Sequence, residues 1–213
     1  MRIRYHLVMR TLPTWMLVLA FALPVAADTK FIDTFKAPEA TDFSFWGQKV
    51  AALVVTDDLS LRQSAESELA RRLSARGMRG VETYRIVPIP ETRDAGKART
   101  FLEQSEVQGV VIIRPLKLAS ERAPAVPVMW SSPMYGGLWD YWGYGWGTVY
   151  QFTPERRDMV LVTETLVYSL PLDKLMWAAI TKTKNPKDAQ SYVRGLVEDT
   201  VKEMRKQGLT AGR

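Results

Sequence analysis

The apolar positions of this chain fall into short blocks whose period changes from one block to the next. KVAALVV (Lys49 to Val55) is an unbroken apolar run rich in valine, the pattern of a strand buried on both faces. In the segment that follows, Leu61, Ala65, Leu69 and Leu73 recur every four residues, which predicts an amphipathic helix that ends at Gly77. VETYRIV reads as a second strand, Glu91 to Ser105 as a second helix with Ala95, Ala98, Phe101 and Leu102 inward, and GVVIIRPLKL as a third strand. Strand, helix, strand, helix, strand implies parallel pairing through right-handed crossovers. RDMVLVTETLVYSL and KLMWAAITKT, joined by a tight PLD connection, predict an antiparallel hairpin added to the sheet, with Trp177 in the core. A last helix opens at NPKD with Pro186 in its first turn. Its inward face is Ala189, Tyr192, Val193, Leu196, Val197, Thr200, Val201 and Met204, and Gly208 stops it.

The expected fold class is therefore α/β: a single mixed sheet built as β-α-β-α-β, then an aromatic ribbon or loop, then β-β-α, with helices packed on the sheet. Residues 1–27 read as a signal peptide, 28–48 as an irregular lead-in, and 49–209 as one α/β domain that contains a glycine and aromatic ribbon at 124–153.

Composition changes the picture through what it removes. Arg2, Arg4 and Arg10 precede the apolar stretch LPTWMLVLAFALPV and the small residues VAA, which predicts export with cleavage after Ala27. The stretch is shorter than the roughly 20 residues of a spanning helix, and Pro24 interrupts it. Without the three arginines the formal charge falls from +6 to +3, and the only histidine, His6, leaves with them. The chain has no cysteine. Ser-His-Asp and Cys-His centres, thiolate redox chemistry, disulfides, and zinc held by imidazole or thiolate are excluded for the exported form. A modest, scattered positive charge does not favour nucleic acid as a partner. No cofactor is expected.

LRQSAESELARRLSARGMRGVETYRIVP, GVVIIRP, LVYSLPLDKLMWAAITKTKNP and VEDTVKEMRKQGL together resemble a family of uncharacterised bacterial envelope proteins, many of them lipoproteins. That family is similar in architecture to the N-terminal domain of the Tol translocation protein and to the curli-secretion lipoprotein. The resemblance implies an envelope location and this fold class, but no active site. A lipoprotein needs a cysteine after its signal, and LPVAADTK offers none. A soluble periplasmic protein without a lipid anchor is thus expected.

Three groups of residues are candidates for function. Asp57 and Asp58 follow the first strand, where open α/β sheets bind ligands. They suit either capping of the next helix or a hard divalent cation. A phospho-accepting receiver is excluded, because Arg114 stands where the third strand would need an aspartate. Glu66 and Glu68 read as a solvated face or salt-bridge partners. Lys182, Lys184, Lys187 and Arg194 read as a small basic patch, better explained as solvated surface.

The densest signal is MWSSPMYGGLWDYWGYGWGTVYQF, which holds four of seven tryptophans and five of thirteen glycines. As a helix it would carry Gly136, Gly137, Gly143 and Gly145 at about 1 kcal/mol each, so a ribbon with a glycine-aromatic tip is expected. Trp130, Tyr135, Trp139, Tyr141, Trp142, Tyr144 and Trp146 are its candidate binding residues. The rings either fold back over the sheet, or stack on sugars and anchor a protein, or sit at membrane headgroup depth. The composite expectation is a non-catalytic periplasmic binding or scaffolding protein with an envelope protein or cell-wall glycan as partner. Its alternatives are a carboxylate-only, cation-dependent enzyme and a purely structural domain.

Overall fold

The computed structural model describes residues 29–120, 128–149, 159–184 and 188–210. Its strands are β1 (Thr29–Lys36), β2 (Lys49–Val54), β3 (Arg79–Glu82), β4 (Gly109–Ser120), β5 (Met159–Ser169) and β6 (Lys174–Lys184). Its helices are α1 (Leu59–Ser74), the single turn α2 (Thr83–Ile86), α3 (Ala95–Gln104), α4 (Pro133–Gly136), α5 (Leu138–Gly147) and α6 (Ala189–Lys206). All six strands form one mixed sheet in the order β1-β6-β5-β4-β2-β3. β2 runs parallel to β3 and β4, whereas β4, β5, β6 and β1 follow one another antiparallel.

Alternation along β2 sends its residues into two cores. Val50, Ala52 and Val54 face α1 and α6 together with Leu69, Leu73, Trp177, Val197 and Met204. Ala51, Leu53 and Val55 face α3 and α5 together with Leu102, Leu138, Tyr141 and Trp142. The unbroken apolar run is the consequence of cover on both sides. In α6 the seven residues from Tyr192 to Met204 that the periodicity turns inward are all buried, and Trp177 is fully enclosed. Gly77 and Gly208 follow α1 and α6 with φ of 86° and 80°, the left-handed geometry that ends a helix.

Besides the aromatic segment, two elements differ from expectation. The lead-in is not wholly irregular: Thr29–Lys36 is an edge strand paired with β6 from Thr29↔Thr183 to Lys36↔Trp177. Phe31 and Phe35 supply its reason, since both pack against the core from alternate positions that isolated aromatics in a polar context conceal. VETYRIV is a strand only as far as Glu82. There the Thr83 hydroxyl donates to the Ala52 carbonyl at 2.7 Å and the Tyr84 N–H to Glu66 Oε2 at 2.8 Å, which turns the chain into α2. The Pro186 position lies outside the described residues.

Where β3 crosses α1 the backbones nearly touch. A Cβ on Gly80 would lie 2.1 Å from the Ala70 carbonyl oxygen. Gly80→Ala should therefore push β3 off α1 and lower the unfolding free energy by about 1–3 kcal/mol, as overpacking does, with urea denaturation as the check. A second expectation concerns the start of α6, where the Ser191 N–H and hydroxyl both donate to Asp188 at 2.7 Å. Those bonds hold the Asp188 carboxyl below its ordinary 3.8. A depressed carboxyl contributes stability that is present above its unfolded value and is lost as pH falls through the folded one. Asp188→Asn keeps a cap but not this titration, so its melting temperature should change less with pH below about pH 4 than that of the parent.

Candidate functional site

β4 and β5 each interrupt an apolar run with one charge, and their antiparallel register sets Arg114 directly opposite Glu164. Both side chains are buried. Arg114 Nε and Nη2 each lie 2.7 Å from Glu164 Oε1. The Tyr141 hydroxyl donates to the same oxygen, and the Tyr135 hydroxyl donates to Oε2 at 3.0 Å. Arg114 Nη1 donates to the Thr148 hydroxyl, and its guanidinium lies 4.7 Å from the Tyr144 ring centroid and 5.6 Å from that of Tyr141. The Tyr168 hydroxyl donates to the Tyr135 carbonyl at 3.2 Å.

The electrostatics follow from burial and this charge pair. Desolvation, followed by the neighbouring Glu164 carboxylate, raises the Tyr135 and Tyr141 phenols well above their ordinary 10, so both are donors at neutral pH. Burial opposes the Arg114 charge, but Tyr141 and Glu164 beside it outweigh that cost and hold its pKa above the usual value. Glu164 accepts donors on both oxygens. Such a carboxylate is a clamp rather than a waiting base.

This clamp holds α4 and α5 on the sheet. Residues 124–127 and 150–153 of the expected ribbon lie outside the described residues, and within its described part, residues 128–149, the aromatic segment forms two short helices instead of a ribbon. Four glycines do weaken it, yet Leu138, Tyr141, Trp142 and Trp146 are buried against α3 and the sheet. Burial of about 1.5–3 kcal/mol per large side chain exceeds the glycine cost. Asp173 accepts the Leu138 N–H at 2.8 Å, and the Thr92 carbonyl accepts the Trp142 indole N–H at 2.7 Å, so the start and the middle of α5 are tied down.

All seven aromatic candidates join one layer. Tyr135, Tyr141, Trp142 and Trp146 are buried within it. Trp130 and Trp139 are half-buried, the first donating its indole N–H to Asp33 at 3.1 Å and the second lying under the Arg99 guanidinium at 5.7 Å. Tyr144 is 37% exposed, and Met129 and Met134 are also open to solvent. Four rings thus face the protein, and three reach its surface.

The other candidates do not join this layer's polar centre. Asp58 caps α1, accepting the Leu61 N–H at 3.0 Å, and Asp57 pairs with Arg93. Among the described residues no cluster of three or more acidic residues could hold a metal ion. Glu68 is a salt-bridge partner of Arg71 and Arg72, as its position suggests. Glu66 is no solvated residue: it is fully buried, 2.8 Å from the equally buried Arg62, and desolvation raises its carboxyl above the ordinary range. Lys182 and Lys184 are half-buried on β6, Arg194 is exposed on α6, and Lys187 lies outside the described residues. Sequence reasoning passed over Glu164 altogether. Its signal was available, because a lone acid in VLVTETLVY and a lone base in GVVIIRP each break a run that is otherwise uncharged.

The chain matches no family model and no curated protein. It is similar to the PelC dodecamer from Paraburkholderia phytofirmans at 12% identity and a TM-score of 0.46, over 87% of this chain and 100% of that one. A variant of the same dodecamer aligns at 13% identity and a TM-score of 0.44, over 87% of this chain and 99% of the other. No helix among the described residues is long and apolar enough to cross a membrane.

The clamp makes a quantitative prediction. Glu164→Gln leaves a buried guanidinium without its counter-charge and should cost about 3–5 kcal/mol. The double replacement Arg114→Met with Glu164→Leu should recover part of that loss, since an apolar pair removes both charges together, while the Tyr135 and Tyr141 hydroxyls lose their acceptor. Urea denaturation of the two variants beside the parent reads both effects.

Proposed function

We propose that this protein is a non-catalytic binding or scaffolding component of the bacterial envelope, exported to the periplasm, and that the outer side of the α4–α5 layer is its contact surface for a protein or glycan partner. The observation that carries this reading is that Trp130, Trp139 and Tyr144 reach solvent from an element whose underside is clamped to the sheet through Glu164. Rings fixed in place before contact lose little freedom on binding, and Trp and Tyr supply much of the contact energy in such surfaces. Exposed Met129 and Met134 add adaptable apolar area to the same segment. The signal-like start and the resemblance to envelope proteins support the location. An absence of cysteine, and of histidine after His6, supports a binding role over nucleophilic chemistry.

The test is co-sedimentation of the purified protein with peptidoglycan sacculi and capture of envelope proteins by chemical cross-linking, each repeated with Trp139→Ala/Tyr144→Ala. Binding that falls about tenfold or more in the variant, while its melting temperature stays within a few degrees of the parent, is expected. Equal binding by parent and variant would sink the reading. Binding to anionic lipid vesicles in place of both partners would move the surface to the membrane.

A further inference from the structure

A second aromatic feature lies on the other side of the sheet. Trp46 is 55% exposed in the turn that leads into β2, next to Phe45, which is fully buried in the α1 and α6 core. The indole rests on Gly77 just past the end of α1: a Cβ there would fall 2.2 Å, 2.3 Å and 2.6 Å from three atoms of its six-membered ring. Gly77 is thus required twice, by its left-handed φ of 86° and by the ring laid against it.

The turn itself is fixed by a series of backbone bonds. Gly47 N–H donates to the Gly77 carbonyl at 2.6 Å, Arg79 N–H to Gln48 at 2.7 Å, Gln48 N–H to Phe45 at 3.0 Å, and Phe45 N–H to Leu209 at 3.0 Å. The Arg79 side chain adds a bond to the Gly47 carbonyl at 3.1 Å, and the Trp46 N–H donates to the Ser44 hydroxyl at 3.2 Å. An exposed tryptophan on a mobile loop would be ordinary; one with its backbone pinned on both sides is preorganised. In front of it lies a depression of about 470 Å³ lined by Asp42, Phe43, Ser44, Trp46 and Gln48.

We propose that this depression is a subsite for one pyranose residue of a glycan chain, with Trp46 as the stacking platform. The negative face of an indole attracts the weakly positive C–H face of a sugar ring, and a flat ring of that size matches it. Hydroxyl groups around the edge of the sugar need partners in the plane of the stack. The lining supplies three kinds: the Asp42 carboxylate as acceptor, the Ser44 hydroxyl, and the Gln48 amide as donor and acceptor. An apolar peptide would bring no partner to the Asp42 carboxylate or the Gln48 amide, and Phe43 is the only other apolar side chain in the lining. A volume of this size is within the range of small-ligand sites and suits one or two sugar units. This inference stands apart from the α4–α5 surface, because Phe45 belongs to the α1 and α6 core and α5 covers the opposite face.

The test is a titration of the purified protein with N,N′,N″-triacetylchitotriose and, separately, with cellotriose. The indole N–H resonances of the tryptophans are followed by NMR. One sugar or both should shift a single indole resonance, assigned to Trp46 by its absence in Trp46→Ala. Affinity should fall at least about tenfold in Trp46→Ala and several-fold in Asp42→Asn, with partial retention in Trp46→Phe. No shift with either sugar at concentrations on the order of 10 mM overturns the proposal. So does undiminished binding by Trp46→Ala, or self-association of the parent that Trp46→Ala abolishes, which would give the ring to a second copy of the chain. Sugar binding lost in Trp139→Ala/Tyr144→Ala but kept in Trp46→Ala also overturns it, while supporting the α4–α5 surface.

Discussion

A carboxylate buried within a sheet has to be answered from several directions, and the answers to Glu164 determine where the helices on that face can lie. Arg114 comes from the neighbouring strand, Tyr135 from α4 and Tyr141 from α5. A short helix with three glycines, such as α5, has little intrinsic stability, so its position depends on what it buries and which bonds it closes. Here the same residues do both. Tyr141 fills the core with its ring and satisfies the carboxylate with its hydroxyl, and Tyr135 does so from the next turn. Moving either helix would open an apolar gap and leave a buried charge short of donors, which couples packing to electrostatics in one element.

The same coupling recurs under α1 in a smaller form. Glu66 receives Arg62 Nε, the Val54 N–H and the Tyr84 N–H, so it joins α1 to β2 and to the turn after β3. Arg62 in turn reaches the Thr92 hydroxyl at 3.2 Å and lies 5.3 Å from the Trp146 ring centroid. Through that contact the helix on one face of the sheet meets the end of α5 on the other. The two buried ion pairs therefore hold together parts of the fold that no single core spans. Buried pairs of this kind add little net stability, but breaking one is expensive, so they act more strongly on arrangement than on total free energy.

Legibility in the sequence followed the source of each element's stability. Elements whose burial follows their own period were plain: the unbroken run at Lys49 to Val55, the inward stripe of α6, and the hairpin with Trp177 at its centre all appear as read. Capping by Asp58 was also readable, because it is a local bond between a side chain and the next turn. What could not be read depends on distant partners. β1 exists because β6 offers it an edge 150 residues later in the chain, roughly the separation of Thr29 and Thr183. α5 exists because a sheet, α3 and a carboxylate await it, and local propensity argues against it. Glu66 shows the limit from the other side. An acid at a helical position looks solvent-facing until the residue four places earlier is seen to be buried with it.

The pairing of β1 with β6 also sets an order of events. The first of the described strands is completed by the last, and until β6 is in place the Phe31 and Phe35 rings have no sheet to lie on. Closing so long a loop carries its entropic cost before any contact repays it. The parallel strands β2, β3 and β4, by contrast, pair with partners close in sequence. The sheet is therefore sealed by its own beginning: β1 gains its one neighbour in the sheet only when β6, far along the chain, is in place.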